Sequence, residues 1–157
     1  MKDVVLDHGK ARFNYRVGGV ALHRGWILLN RSPREDFWYL PGGRIAMGET
    51  AAQALKREIR EELGVPVRVG PLLWLVENFF RYDGRSVHET GFYHAFRFPP
   101  GSALLGKRGP LPMLDGDQAE WHPLSALPRI NLKPSLLKRA LRSIPASPVH
   151  LVHRDRA

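Results

Sequence analysis

The amino-acid sequence predicts an α/β domain, on three observations. Residues 51 to 63 place apolar side chains at helical spacing between a capping pattern and a glycine stop. Residues 67 to 82 and 86 to 98 are β-branched and aromatic runs on either side of Asp83-Gly84, a hairpin signal. With 157 residues, 43% of them hydrophobic, the chain can bury one core over residues 1–157 without staples.

In chain order, residues 15–22 and 26–30 are short apolar runs separated by His23, Arg24 and Gly25, which predicts two strands joined by a tight turn. A charged loop follows from Arg31 to Asp36, and Phe37–Leu40 then runs into Pro41-Gly42-Gly43, which ends any strand. Thr50 with Gln53 three residues on is a capping-box pattern, and Gly64 with Pro66 marks the stop, so a helix is expected over 51–63. The stretch from Gly101 to Gly116, rich in glycine and proline, predicts a long loop. Glu120–Leu124 predicts a last short strand, Pro134–Arg142 a C-terminal helix with proline in its first turn, and the tail from Pro145 a frayed end.

The absence of cysteine excludes disulfides, thiolate metal sites and cysteine nucleophiles, and is compatible with a reducing cytoplasm. Charges at Lys2 and Asp7 interrupt any signal-peptide core, and no apolar run reaches 18 residues, so neither secretion nor a membrane partner is expected. The net charge of +9 favours polyanionic partners: a phosphorylated small molecule, a nucleic acid such as RNA, or an acidic membrane surface.

On the predicted helix Ala52, Leu55, Ile59 and Leu63 share one arc, and Glu58, Glu61 and Glu62 fall beside it. Three carboxylates at such spacing repel one another. Two readings are open from these residues alone: a solvated helix with ion pairs to Arg57 and Arg60, or a site for a divalent cation. Hard oxygen ligands would suit Mg2+, with Mn2+ as a substitute.

The wider pattern is Gly43, five residues, Glu49, seven residues, then Arg57-Glu58-Ile59-Arg60-Glu61-Glu62-Leu63-Gly64-Val65. It resembles the signature of the Nudix hydrolases at every specified position, over 23 residues, with the Leu40-Pro41-Gly42-Gly43 approach in agreement. The resemblance implies an α/β/α sandwich with a mixed β-sheet and a loop-helix-loop catalytic motif. It further implies hydrolysis of a phosphoric anhydride in a nucleoside diphosphate linked to another moiety, or in a nucleoside triphosphate, releasing a nucleoside monophosphate. Related readings are a housecleaning pyrophosphatase for damaged deoxynucleotides, an RNA 5′ pyrophosphohydrolase, and a silent nucleotide- or RNA-binding module.

Residue by residue, the resemblance implies that Glu58 and Glu62 bind metal, that Gly43 offers its carbonyl, and that Glu61 completes or bridges a second ion. Glu49 would support them or bind an additional metal, Arg57 would orient the cluster, and Glu61 or Glu62 would help take a proton from the attacking water. Several family members draw the general base from the loop before the last strand; Asp115, Asp117 and Glu120 occupy that region here. Arg31, Arg34 and Arg44 flank the glycine turn as candidate phosphate grips. Trp38, Phe79, Phe80 and Tyr82 are candidates to stack a base, His88-Glu89 to face substrate or metal, and strands 67–98 to form a homodimer interface.

Overall fold

The computed structural model describes residues 1–156. Its first half contains β1 (Val5–His8), β2 (Ala11–Val20), β3 (Leu22–His23), β4 (Trp26–Arg31), β5 (Gly42–Arg44) and the helix α1 (Ala51–Leu63). Its second half contains β6 (Arg68–Tyr82), β7 (Arg85–Arg97), β8 (Leu111–Pro112), β9 (Gln118–Pro123), a 3-10 turn (Leu124–Arg129), α2 (Leu137–Ala140) and β10 (Val149–Arg154).

The larger sheet runs β1-β2-β7-β6-β10, with β5 also on β2. It is mixed: β2 with β7 and β6 with β10 are parallel, while β6 with β7 and β1 with β2 are antiparallel. β6 and β7 pair from Arg68↔Arg97 to Tyr82↔Arg85. They are closed by Asp83 and Gly84, whose positive φ values of 48° and 71° suit the two-residue turn that follows strand twist. A second sheet, β3-β4-β9-β8, stands against the first.

Period-two alternation divides the core into two halves. Val17, Leu28, Leu55, Ile59 and Phe96 pack beneath α1. Val20, Ile27, Leu29, Trp74, Leu132 and Leu137 fill the opposite face, against the 3-10 turn and α2. β4 thus sends Leu28 one way and Ile27 and Leu29 the other, which accounts for its unbroken apolar run. The mixed sheet between helical layers is the predicted α/β sandwich. No helix among the described residues is long and apolar enough to cross a membrane.

α1 spans the predicted 51–63. The Thr50 hydroxyl accepts from Gln53 N at 3.2 Å, the Gln53 side chain accepts from Thr50 N at 2.9 Å, and Gly64 takes φ 72° to close the last turn.

Four expectations are corrected. The first predicted strand does not run on to residue 22 as one strand: β2 ends at Val20, and only β3 forms the tight hairpin with β4, in the other sheet. Gly18 and Gly19 lie under the rings of Tyr93 and Phe96, and the chain changes sheet just after them. The long loop contains a strand, β8, paired with β9. The predicted C-terminal helix contracts to four residues, because bonds from Lys138 N to Ser135 O and from Arg142 N to Arg139 O tighten both ends. The tail is not frayed at its centre: β10 pairs along the outer edge of β6 from Val149↔Trp74 to Arg154↔Phe79, supplying the backbone partners that edge would otherwise lack.

Candidate active site

α1 buries Ala54, Leu55 and Ile59, and the same face carries Glu62 inward until its side chain is almost wholly covered. Glu58 lies one turn earlier, towards the glycine turn. β5 holds that turn against β2, with Val17 opposite Gly43. A Cβ at Gly43 would fall on the Glu58 carboxylate, so only glycine lets strand and carboxylate approach this closely.

Arg57 organises the rest. Its Nε and Nη2 form a fork on Glu49, donating to Oε1 at 2.8 Å and Oε2 at 2.9 Å. Nη1 donates to Glu58 Oε1 at 2.8 Å and to Glu61 Oε2 at 3.3 Å, and Nη2 also reaches the carbonyl of Arg44 at 3.1 Å. Glu49 in turn accepts from Ala46 N at 3.0 Å. One planar guanidinium therefore ties the glycine turn, the loop before the helix and two helix carboxylates together, which a lysine's single ammonium cannot do.

The electrostatics separate the carboxylates. The hydrogen bonds from Arg57 hold the Glu49 carboxyl below its ordinary range. Burial raises Glu58, against the opposing pull of Arg57. Burial pushes Glu62 up to about 8, with Glu58 and Asp115 adding to it and the 3.2 Å bond from Asn30 Nδ2 working the other way. Asn30 is itself fully buried, and its Oδ1 has no hydrogen-bond partner among the described residues.

These donors fit a hard divalent cation by type. Two desolvated carboxylates that repel each other, a backbone carbonyl at Gly43 and an orphaned amide oxygen are all oxygen ligands, and a cation would offset the cost of burying them. They are not gathered as a finished cage: no group of three or more acidic or histidine side chains among the described residues is placed to hold a metal. Glu61 is turned outward on Arg57 with 60% of its side chain exposed. Glu58, Glu62 and Gly43 could hold a cation, and Glu61 could join them by swinging inward.

The cluster opens into a cleft of about 710 Å3 on the far face of the β2-β7-β6 sheet. Arg16 stands at the junction: its Nε is 3.8 Å from Glu89 Oε2. Burial works against its charge, but Glu89, Tyr93, Tyr39 and Glu58 outweigh that and raise its pKa. Tyr39 closes another side, donating to Asp117 Oδ2 at 2.6 Å. A second cavity, of about 550 Å3, lies between Phe13, Phe79 and His88 on the other face and includes no residue of the cluster.

The structure brings Gly43, Arg57, Glu58, Glu61 and Glu62 together, and lines the cleft with Arg34, Arg44, Phe80 and Tyr82. Arg44 also lies 3.7 Å from Asp3, and Tyr82 donates to Glu35. Asp115 is exposed but close enough to act on Glu62 and Tyr39. Glu120 and Arg31 do not line the cleft. Glu120 sits opposite Leu29 on β9, and Arg31 lies over the Trp38 ring at 5.0 Å. Phe79 and His88 stack together at 4.3 Å on the other face, whereas Glu89 lines the cleft. Sequence reasoning missed Asn14, Arg16, Tyr39, Asn78 and Tyr93. The available signal was a polar side chain at the buried parity of a strand, at Asn14 and Asn78.

The NUDIX domain profile matches residues 13–143. The chain belongs to the Nudix family of hydrolases. It is 40% identical over 93 residues to the putative mutator protein MutT4 of Mycobacterium tuberculosis, covering 58% of this chain and 34% of that one. It is 33% identical over 104 residues to the human 8-oxo-dGDP phosphatase NUDT18, covering 65% and 29%. The chain thus spans about a third of the length of each of these relatives. In three dimensions it is similar to a mutator MutT protein of Bacillus halodurans, with a TM-score of 0.67, 18% identity, and 90% and 89% of the two chains covered, a likeness of fold.

Proposed function

We propose that this Nudix chain hydrolyses a phosphoric anhydride bond in a nucleoside diphosphate linked to another moiety, or in a nucleoside triphosphate, releasing a nucleoside monophosphate with Mg2+ or Mn2+ as cofactor. The observation that carries the reading is the pair Glu58 and Glu62, desolvated side by side against Gly43 where the cleft begins.

Glu58, Glu62 and the Gly43 carbonyl would hold the cation, and Glu61 would join them. When bound, the cation would supply charge neutralisation for the anhydride and a more acidic water. Arg57 keeps Glu58 and the glycine turn in register through Glu49. Arg16 and Arg44 bind phosphate oxygens from the cleft side. Water attacks one phosphorus, the bridging P–O bond breaks, and the proton passes to a carboxylate. Glu61 or Glu62 helps to take it, and Asp115 is the nearby alternative.

A second reading is hydrolysis of an oxidised deoxynucleoside di- or triphosphate, which the similarity to MutT4 and to the 8-oxo-dGDP phosphatase favours. The charge of +9 extends the range of candidate substrates to triphosphorylated RNA ends. The test is product release from nucleoside diphosphate conjugates, normal and oxidised triphosphates, and triphosphorylated RNA, with and without Mg2+. Turnover of one class only with metal supports the proposal. Metal-loaded, folded protein that binds nucleotides but turns over none of the panel would instead mark a silent binding module.

A further inference from the structure

The floor of the cleft carries a row of polar side chains that the chemistry above does not use. Asn14 of β2 pairs with Glu89 of β7, and Glu89 pairs with Asn78 of β6, so the three stand side by side across neighbouring strands. All three line the cleft, and all three are more than nine-tenths buried, at 8%, 6% and 5% exposure. The Oδ1 atoms of Asn14 and Asn78 have no hydrogen-bond partner among the described residues, and Glu89 meets Arg16 only at 3.8 Å. A buried polar group without a partner destabilises a fold, and an apolar side chain at such a position is usually tolerated. Three polar side chains in register along the lining of one cleft point to a polar ligand edge lying against them.

The two Oδ1 atoms are themselves sealed from the cleft, so the row presents the Glu89 carboxylate flanked by carboxamides whose Nδ2 groups remain to donate. It therefore disfavours phosphate at its centre and favours a planar group that presents N–H donors beside a carbonyl acceptor along one edge. The phosphate end of a nucleotide has its own partner in Arg16, two residues from Asn14 along the same strand, about 6.6 Å away. In the next row outward, Phe80 and Val87 pair on the same face and give a ring a surface to stack on.

We infer that Asn14, Glu89 and Asn78 form a base-reading row selective for a 2-amino-6-oxopurine, the guanine-type edge, in the substrate of this hydrolase. A guanine edge offers N1–H and the 2-amino group to the Glu89 carboxylate, while its O6 takes an N–H from a neighbouring amide. Adenine and cytosine would turn a ring-nitrogen lone pair towards Glu89, and uracil would offer one N–H with a carbonyl on each side where guanine offers two adjacent N–H groups. The inference rests on the nucleotide reading of the cleft and names which nucleotides it takes.

The test is equilibrium binding of nucleoside 5′-monophosphates, which have no anhydride to cleave, by calorimetry with Mg2+ present. Wild-type protein is expected to bind GMP at least about tenfold more tightly than AMP, CMP, UMP or IMP; IMP lacks only the 2-amino group. In E89Q and N78A, each checked for an unchanged unfolding transition, the GMP preference collapses towards one. Should a variant fail to fold, the comparison of GMP with IMP on wild-type protein tests the same contact from the ligand side. Equal affinities across the five, no binding at millimolar concentration, or an unchanged preference in E89Q and N78A would overturn the inference. Binding selectivity without hydrolysis of any triphosphate would leave it standing and sink the hydrolytic reading instead.

Discussion

The helix α1 and the strand row beneath the cleft differ in how their functional groups are assembled. On α1 the glutamates are neighbours in sequence, set on one side by the helical repeat and steered by Arg57 within the same segment. In the row, Asn14, Glu89 and Asn78 come from three strands and meet only because β2, β7 and β6 pair in one register. In the proposed function the first arrangement bears on the bond to be broken, and in the inferred base-reading row the second bears on the molecule that carries it. A change on the helix is therefore expected to scale turnover for every substrate alike, and a change in the row to reorder substrates.

The largest effect is expected from Glu62→Gln, which removes a proposed cation ligand while preserving shape. Turnover should fall by roughly 100-fold or more, since even the groups behind a ligand are worth about 10–100-fold. Gly43→Ala comes next, because its Cβ displaces the Glu58 carboxylate; steady-state kinetics should show a loss of on the order of 100-fold with the fold retained. Normal turnover in either variant would contradict the ligand assignment. Arg57→Lys keeps the charge but loses the fork on Glu49 and the reach to Glu58, and about 10–100-fold is expected, with weaker Mn2+ binding as the accompanying readout.

Smaller effects are expected in the pH dependence of stability. The folded-state pKa of Glu62, raised from 4.5 to about 8, makes its contribution fully present below pH 4.5 and lost as pH rises through about 8. At pH 7 this amounts to about 3 kcal/mol of destabilisation in the metal-free protein. Metal-free E62Q is accordingly expected to melt several degrees higher than wild type at pH 8 and to match it near pH 4.5. An equal melting temperature at pH 8 would refute the burial argument. His122 runs the other way: burial lowers its pKa from 6.5, with Arg31 adding to this and Glu120 opposing it. Its contribution is present above pH 6.5 and lost as pH falls through the lower folded value, so H122F should flatten the acid limb of the melting curve.

How much could be read before the structure follows the same division. The bounds of α1 were legible because Thr50, Gln53 and Gly64 are local signals, and the β6–β7 hairpin because Asp83-Gly84 sits between two β-branched runs. The glutamate cluster was legible because its members share one helix. β10 was not, because Val149 to Arg154 becomes a strand only through the free edge of β6, some seventy residues earlier. Glu89 was a candidate from the sequence and Asn14 and Asn78 stood at the buried parity of their strands, but Arg16 and the alignment of the row were hidden, since nothing near any of them in sequence announces which strands will lie alongside. Placing Glu120 and Arg31 also required tertiary structure: the β4–β9 pairing fixes which face each presents, and neither lines the cleft.

The most direct test of this division of labour is a comparison of kcat/KM for GTP and ITP, with Mg2+, in wild type, E62Q and E89Q. E62Q is expected to lower both substrates by the same factor and keep the wild-type ratio, while E89Q brings that ratio towards one. If E62Q reorders the two substrates, or E89Q lowers both equally, the separation of bond chemistry on α1 from base selection on the sheet is contradicted.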